Sequence, residues 1–386
     1  MTVPKVITVY GTRPEAIKVA PVVTALEADD RFDAFAVSTG QHREMLDQVN
    51  SMFGITPKYD LGIMRPGQSL NQIVSRVVEE LDAVIEKERP DAILVHGDTS
   101  TAMSAAITAF NREVRVVHVE AGLRTGNLFS PFPEEANRRL ISRVASLHLA
   151  PTAESRENLL REQVDASTVP VTGNTVIDAL LEATAWNTTF ADERLQQAAD
   201  SGQRLVLITT HRRENLDTMS AIGKAMRRLS EQYTDINFVL PAHLNPRVRD
   251  AVFPHIEGRS NIIVTDPLPY NEFTKLMGRA ALVLTDSGGV QEEAPSLGKP
   301  VLVMRENTER PEAIEAGTVR LVGTDEERIV AESARLLDDD TAYREMANAV
   351  NPYGDGKAAE RSVAAIAELL GVGQRLPDFS PVHSSE

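Results

Sequence analysis

The chain has 386 residues, enough for two domains that each bury a core, and no cysteine, which excludes disulfides and thiolate metal sites. Its formal net charge of -16, from 40 basic against 56 acidic residues, argues against a nucleic-acid partner, whose binding would draw on a basic face. No apolar run approaches the roughly 20 residues of a membrane span and no signal-peptide pattern opens the chain, so the expectation is a cytoplasmic protein with no membrane partner.

Short Val/Ile/Leu runs alternate with amphipathic stretches along the chain. Val6–Tyr10, Ala34–Ser38, Asp91–His96, Val114–Val119 and Leu147–Ala150 predict one set of strands. Between them Leu70–Glu88 and Ser100–Asn111 have the length and periodicity of crossover helices. Pro170-Val-Thr-Gly-Asn-Thr-Val-Ile-Asp178 passes from turn signals into a new helix, and a second set of strands follows at Arg204–Thr210, Ile236–Pro241, Asn261–Thr265, Ala281–Thr285 and Pro300–Met304, with helices at Met219–Gln232 and Glu327–Leu337. The pattern is α/β and predicts two doubly wound domains in tandem, 1–172 and 173–356. A last helix, 357–371, follows the break Asn351-Pro-Tyr-Gly-Asp-Gly356 and has either domain to dock on, with a return to the first as the expectation. The Ser- and Pro-rich end, 372–386, reads as a disordered tail.

The chemistry-bearing residues cluster after predicted strands, where open parallel sheets hold their ligands. In Gly11-Thr-Arg-Pro-Glu-Ala-Ile-Lys18, Gly11 permits a tight turn, Thr12 and Glu15 have capping-box spacing, and Pro14 suits a first helical turn. The helix N-terminus with Arg13 and Lys18 is a phosphate site, or more plainly a capped helix with two solvated cations. Asp98 ends the strand of Val95-His-Gly-Asp-Thr-Ser-Thr101 and serves either as an N-cap or as an acid. Glu120 ends the Val114–Val119 strand, and Glu134 and Glu135 open a helix amid arginines. Asp98, Glu120 and Glu134 converging on one cleft would raise at least one pKa and separate acid from base.

In the second half, His211 follows a strand beside Arg212 and Arg213, and His243 follows the next strand as a ligand contact. Scattered His, Asp and Glu residues leave a zinc site conceivable, but no His-x-His or His-Glu-x-x-His spacing supports it. Thr285-Asp-Ser-Gly-Gly-Val-Gln-Glu-Glu293 has paired glycines, Gly288 and Gly289, that expose amides to a diphosphate, with Ser287 placed to cap the helix. Glu293, one turn inside, suits two ribose hydroxyls or is a surface glutamate; Arg310 lies further on at the same predicted edge.

Taken together, Gly11 to Lys18, Gln41-His-Arg-Glu-Met-Leu46, His96-Gly-Asp98, Glu120-Ala-Gly-Leu-Arg124, Pro133-Glu-Glu-Ala-Asn-Arg138, His211-Arg-Arg-Glu214, Ser287-Gly-Gly289, Glu309-Arg-Pro311 and Asn351 to Gly356 resemble the non-hydrolysing UDP-N-acetylglucosamine 2-epimerases of bacteria, over nearly the whole chain. The resemblance implies two Rossmann-like domains in the glycosyltransferase-B arrangement, a UDP-sugar in the interdomain cleft, and a homodimer. It implies interconversion of UDP-N-acetylglucosamine and UDP-N-acetylmannosamine through loss of UDP to 2-acetamidoglucal and re-addition, supplying cell-surface polysaccharide synthesis with neither nicotinamide nor metal as cofactor.

By the same resemblance Asp98, Glu120 and Glu134 handle protons and His211 serves the departing diphosphate. Arg13, Lys18, Ser287, Gly288 and Gly289 hold phosphate charge, Glu293 and Arg310 contact nucleoside or phosphate, and Gln68 and His243 are further substrate contacts. Gln41, Arg43, Arg212 and His243 form a candidate second, regulatory site, with Gln41 and Arg43 equally open to a loop-orienting role. The rival readings are a hydrolysing epimerase, a glycosyltransferase of the same fold, and a non-catalytic UDP-sugar sensor.

Overall fold

A computed structural model describes residues 3–40, 43–308 and 310–381. β1 (Lys5–Tyr10), β2 (Asp33–Ser38), β3 (Tyr59–Asp60), β4 (Ala92–His96), β5 (Arg115–Val119) and β6 (Leu147–Leu149) form one parallel sheet in the order β3-β2-β1-β4-β5-β6. β7 (Leu205–Thr209), β8 (Asn237–Pro241), β9 (Ile262–Thr265), β10 (Ala280–Thr285), β11 (Val301–Val303) and β12 (Val319–Leu321) form a second, in the order β12-β11-β10-β7-β8-β9. Both orders are the doubly wound Rossmann-like arrangement. The ten predicted strands are present, and each sheet gains a short edge strand, β3 or β12, that the sequence reading did not include.

Helices cover both faces, so central strands are buried throughout and their sequences are continuous apolar runs rather than alternating ones. Every residue of β4 and of β7 is buried. Ile7, Ile93, Val77 and Leu81 anchor the first core, and Phe238, Leu284, Met226 and Leu229 the second. No helix among the described residues is long and apolar enough to cross a membrane.

The chain divides into two compact units, the first running to Ala179 and taking in Tyr353–Ser380, the second being Leu180–Pro352. The boundary expected at 172/173 therefore lies inside the helix Thr175–Ala185. Its start is held to the first unit because Asn174 N donates to Tyr353 O (2.7 Å) and the Asp178 carboxylate accepts from the amides of Ala358 and Ala359 at 3.2 and 2.8 Å. The helix Ala358–Leu369 packs on Arg13–Glu27 of the first unit. Of the tail expected to be disordered from 372, the described residues 372–381 are instead fastened to the first unit, and 382–386 lie outside the described residues. Phe379 N donates to Val171 O (2.7 Å), Asp378 accepts from Val171 N (3.1 Å), and the buried Phe379 ring receives the Arg361 guanidinium at 5.4 Å.

Candidate active site

In the first unit the residues of interest sit on the turns after β1, β4 and β5. β1 and β4 are the neighbours at which the strand order reverses, where open sheets bind ligands. The capping box forms: Thr12 Oγ1 accepts from Glu15 N (3.4 Å), and Glu15 Oε2 accepts from Thr12 N (2.7 Å) and Gly11 N (2.9 Å). The other oxygen of the buried Glu15 accepts from the Thr99 hydroxyl at 2.5 Å, tying the β1 turn to the β4 turn. Burial holds the Glu15 carboxyl above its ordinary range despite these donors.

On the β4 turn the two readings of Asp98 separate. Thr99 is the N-cap, its Oγ1 accepting from Ala102 N (3.0 Å), so the Asp98 carboxylate is left for other work. It accepts from Arg138 Nε (2.8 Å) and Nη2 (2.7 Å), while Asn137 holds its carbonyl at 2.8 Å. Burial pushes the Asp98 carboxyl up; Arg138 opposes this, Glu120 and Glu134 add to it, and the net shift is upward.

Glu120 follows β5 with φ 60°, a left-handed conformation that is uncommon outside glycine and here aims its side chain back across β4. It ion-pairs with Lys18, accepts from Asn174 Nδ2 (3.4 Å), and lies 3.7 Å from His96 Nε2. Lys18, expected to hold phosphate, is thus engaged by the carboxylate. Burial holds the imidazole of His96 down at about 4, so it is neutral near pH 7, and among the described residues neither ring nitrogen has a hydrogen-bond partner. Glu134 is the partly exposed first residue of the helix Glu134–Val144. Glu135 beside it is wholly buried and accepts from the amides of Thr125 and Gly126 and from Arg138 and Arg139, which makes it an anchor of the preceding loop.

Of the other residues named in this unit, Gln68 lies away from this cluster. Gln68 braces its own loop, accepting from Arg65 N (2.6 Å) and donating to Ile63 O (3.0 Å). Arg13 is the partly exposed first residue of its helix, Arg43 opens the helix Arg43–Met52, and Gln41 lies outside the described residues.

In the second unit the corresponding turns follow β7 and β10, again the pair at which strand order reverses. His211 and Arg212 leave β7, and the His211 ring stacks on His243 with centroids 5.9 Å apart and 23° between planes. Asp286, fully buried after β10, accepts from the amides of His211 and Arg212 (both 2.9 Å), from Thr210 Oγ1 (3.0 Å) and from Asn215 Nδ2 (3.3 Å), and its Oδ1 lies 3.1 Å from His211 Nδ1. Burial pushes this carboxyl up, but the donors from His211 and Arg212 outweigh it and the net shift is downward.

Ser287 occupies the N-cap of the helix Gly288–Ser296 without the expected capping bond, since its own amide donates to Thr285 Oγ1 (2.9 Å) and its side chain makes no cap contact. A Cβ on Gly288 would stand 2.7 Å from Arg310 Nη1: the guanidinium lies directly on the glycine backbone, its Nε donating to Glu292 (2.6 Å). Gly289 is the next helical residue, and Glu293 is buried rather than a surface glutamate. Among the described residues no group of three or more His, Asp or Glu side chains could hold a metal ion.

Sequence reasoning passed over Asp286 and Arg138 as site residues. Arg138 carried a signal, lying four residues after Glu134 on one helix face. Asp286 carried only its position between a strand and two glycines.

The family model for UDP-N-acetylglucosamine 2-epimerase matches residues 24–367. A Yersinia pestis protein named UDP-N-acetylglucosamine 2-epimerase is 52% identical over 368 residues, 94% of this chain and 98% of its own. A Listeria monocytogenes crystal structure, 46% identical, has a TM-score of 0.93 and covers 98% of this chain and 100% of its own. The UDP-GlcNAc 2-epimerase of Neisseria meningitidis, solved bound to UDP-GlcNAc, is 46% identical with a TM-score of 0.82, covering 95% of this chain and 99% of its own. The fold class is accordingly that of the glycosyltransferase-B type epimerases. The chain belongs to the UDP-N-acetylglucosamine 2-epimerase family, in the bacterial non-hydrolysing branch that its motifs resemble.

Proposed function

We propose that the chain interconverts UDP-N-acetylglucosamine and UDP-N-acetylmannosamine by elimination and re-addition of UDP. Carbon 2 of the sugar has no adjacent carbonyl, so its hydrogen is too weakly acidic for simple deprotonation and return. If the bond from carbon 1 to the UDP oxygen breaks as the carbon 2 proton leaves, the product pair is 2-acetamidoglucal and UDP. Re-addition of UDP at carbon 1, with a proton delivered to the opposite face of carbon 2, gives the epimer.

The observation that carries this reading is the acidic set at the reversal point of the first sheet, where a carboxyl held upward, Asp98, is electrostatically coupled to Glu120 and Glu134. Paired acid and base functions need carboxyls in unlike environments. In the proposal Asp98, Glu120 and Glu134 move the protons, with Lys18 and Arg138 fixing two of them. In the second unit His211 with Arg212 meets the departing diphosphate, the amides of Gly288 and Gly289 and Arg310 hold its charge, and Glu293 and His243 contact the nucleotide. Arg13 adds positive charge from the first unit. A homodimer acting in the cytoplasm, feeding cell-surface polysaccharide synthesis, completes the proposal; light scattering of the purified chain tests the dimer.

The decisive measurement is proton NMR of the protein with UDP-N-acetylglucosamine in heavy water. The expected result is UDP-N-acetylmannosamine carrying deuterium at carbon 2. Free UDP with N-acetylmannosamine would instead assign hydrolysis, and an unchanged spectrum would defeat both.

A further inference from the structure

Four donors other than the imidazole converge on Asp286, and together they fix both the position and the charge of its carboxylate. The amides of His211 and Arg212, the Thr210 hydroxyl and Asn215 Nδ2 all point to it, with Oδ2 accepting from each. Arg212 Nε also holds the Asp286 carbonyl at 3.3 Å. A carboxylate in this setting is an acceptor only. Its Oδ1 stands 3.1 Å from His211 Nδ1, so the nitrogen facing it must carry hydrogen. The His243 ring, stacked on that of His211, limits rotation about the side chain.

We propose that Asp286 is a positioning residue for the reaction: its carboxylate holds His211 with a proton on Nδ1 and so leaves Nε2 as the ring atom that meets the diphosphate. The inference rests on the reading of His211 given above. Nε2 then acts in one of two states, as a bare acceptor on the neutral ring or as a donor on the imidazolium, and the carboxylate at Nδ1 stabilises the donor state as UDP departs. An anchor for the loop alone would need the amides of His211 and Arg212, but it would have no need of the imidazole contact.

Two measurements separate these roles. In protein carrying 15N-histidine and saturated with UDP, the His211 signal, assigned by its loss in His211→Gln, is expected to show Nδ1 protonated. Asp286→Asn keeps the shape but can turn its NH2 toward Nδ1, which inverts the neutral ring to the Nε2–H tautomer. Its kcat is expected to fall by about 100-fold or more, in keeping with Asp→Asn changes beside catalytic histidines elsewhere, while KM stays within about threefold. A bare Nδ1 in the wild type would overturn the proposal without any variant, should Asp286→Asn fail to fold. So would a folded Asp286→Asn variant with kcat within about threefold of wild type. If His211→Ala itself turns over normally, the His211 reading fails and takes this proposal with it, and the wild-type spectrum shows whether the tautomer was nonetheless as described.

Discussion

Asp98 and Glu15 are both carboxyls held above their ordinary range by burial, yet their surroundings assign them different work. Asp98 faces one guanidinium and two like charges, so Asp98→Asn removes a titrating group and leaves a side chain that still accepts from Arg138. Turnover of Asp98→Asn, and likewise of Glu120→Gln, is expected to drop below detection while UDP binding measured by calorimetry stays within a few-fold. Near-normal turnover in both would remove the carboxylates from the mechanism. Glu15 instead satisfies two amides and a hydroxyl, and Glu15→Gln offers only one oxygen where two are used. The remaining oxygen can keep both amides, but the new NH2 then faces Thr99, whose hydroxyl must turn from donor to acceptor and loses its own acceptor, and the urea unfolding free energy should fall by about 1 kcal/mol. The Thr12–Glu15 capping box was legible in the sequence because its partners lie three residues apart. Asp98 stayed ambiguous because Asp, Thr and Ser are all good caps, so the choice of Thr99 is made by three-dimensional demand from Arg138. Asp286 could not be recognised from the chain, since its partners His211 to Asn215 lie more than 70 residues away.

At the scale of elements, strands buried on both faces were readable as apolar runs, whereas β3 and β12, at two and three residues, are too short to show any period. The described part of the tail, 372–381, was misjudged for a related reason: its composition is polar, and the one buried side chain among its described residues, Phe379, gives no pattern alone. The turn from β10 into the helix Gly288–Ser296 gives the clearest test of an element built around a ligand. Arg310 covers Gly288 so closely that a methyl group would displace a guanidinium already paired with Glu292. The guanidinium is the end of a flexible side chain, so the fold should absorb Gly288→Ala. UDP affinity should not, and titration calorimetry is expected to show a loss of about tenfold, ~1.4 kcal/mol, with the thermal midpoint nearly unchanged. An unaltered Kd would mean that Arg310 and the Gly288 amide are not nucleotide contacts.

Three buried imidazoles on adjacent strands of the first sheet couple the stability of the whole molecule to acid. His96 ends β4, and His118 of β5 stands in register with His148 of β6. Burial holds them down at about 4, 3 and 4 respectively, against an ordinary value of 6.5. Each is therefore neutral in the folded chain where the unfolded chain has begun to bind a proton. Unfolding takes up protons as pH falls through 6.5, and stability is lost in that direction until the folded-state values near 4 and 3 are reached. From pH 7.5 to 6 the loss is about 0.8 kcal/mol per imidazole, roughly 2 kcal/mol for the three. Asp178 works the other way: burial raises its carboxyl to about 6, so its contribution improves as pH falls through that value toward the unfolded value of 3.8, offsetting about 0.4 kcal/mol of the loss between pH 7.5 and 6 and more below it. Urea midpoints measured between pH 7.5 and 6 should show this fall, and His148→Leu, which keeps the bulk and removes one titration, should reduce it by about a third. Hydrogen exchange at pH 6 should find the added opening in β4, β5 and β6, the strands that carry these imidazoles. A midpoint that changes with pH identically in the wild type and in His148→Leu would mean that these imidazoles are not kept neutral by burial, and the dry surroundings of Glu120 beside His96 would be in question with them.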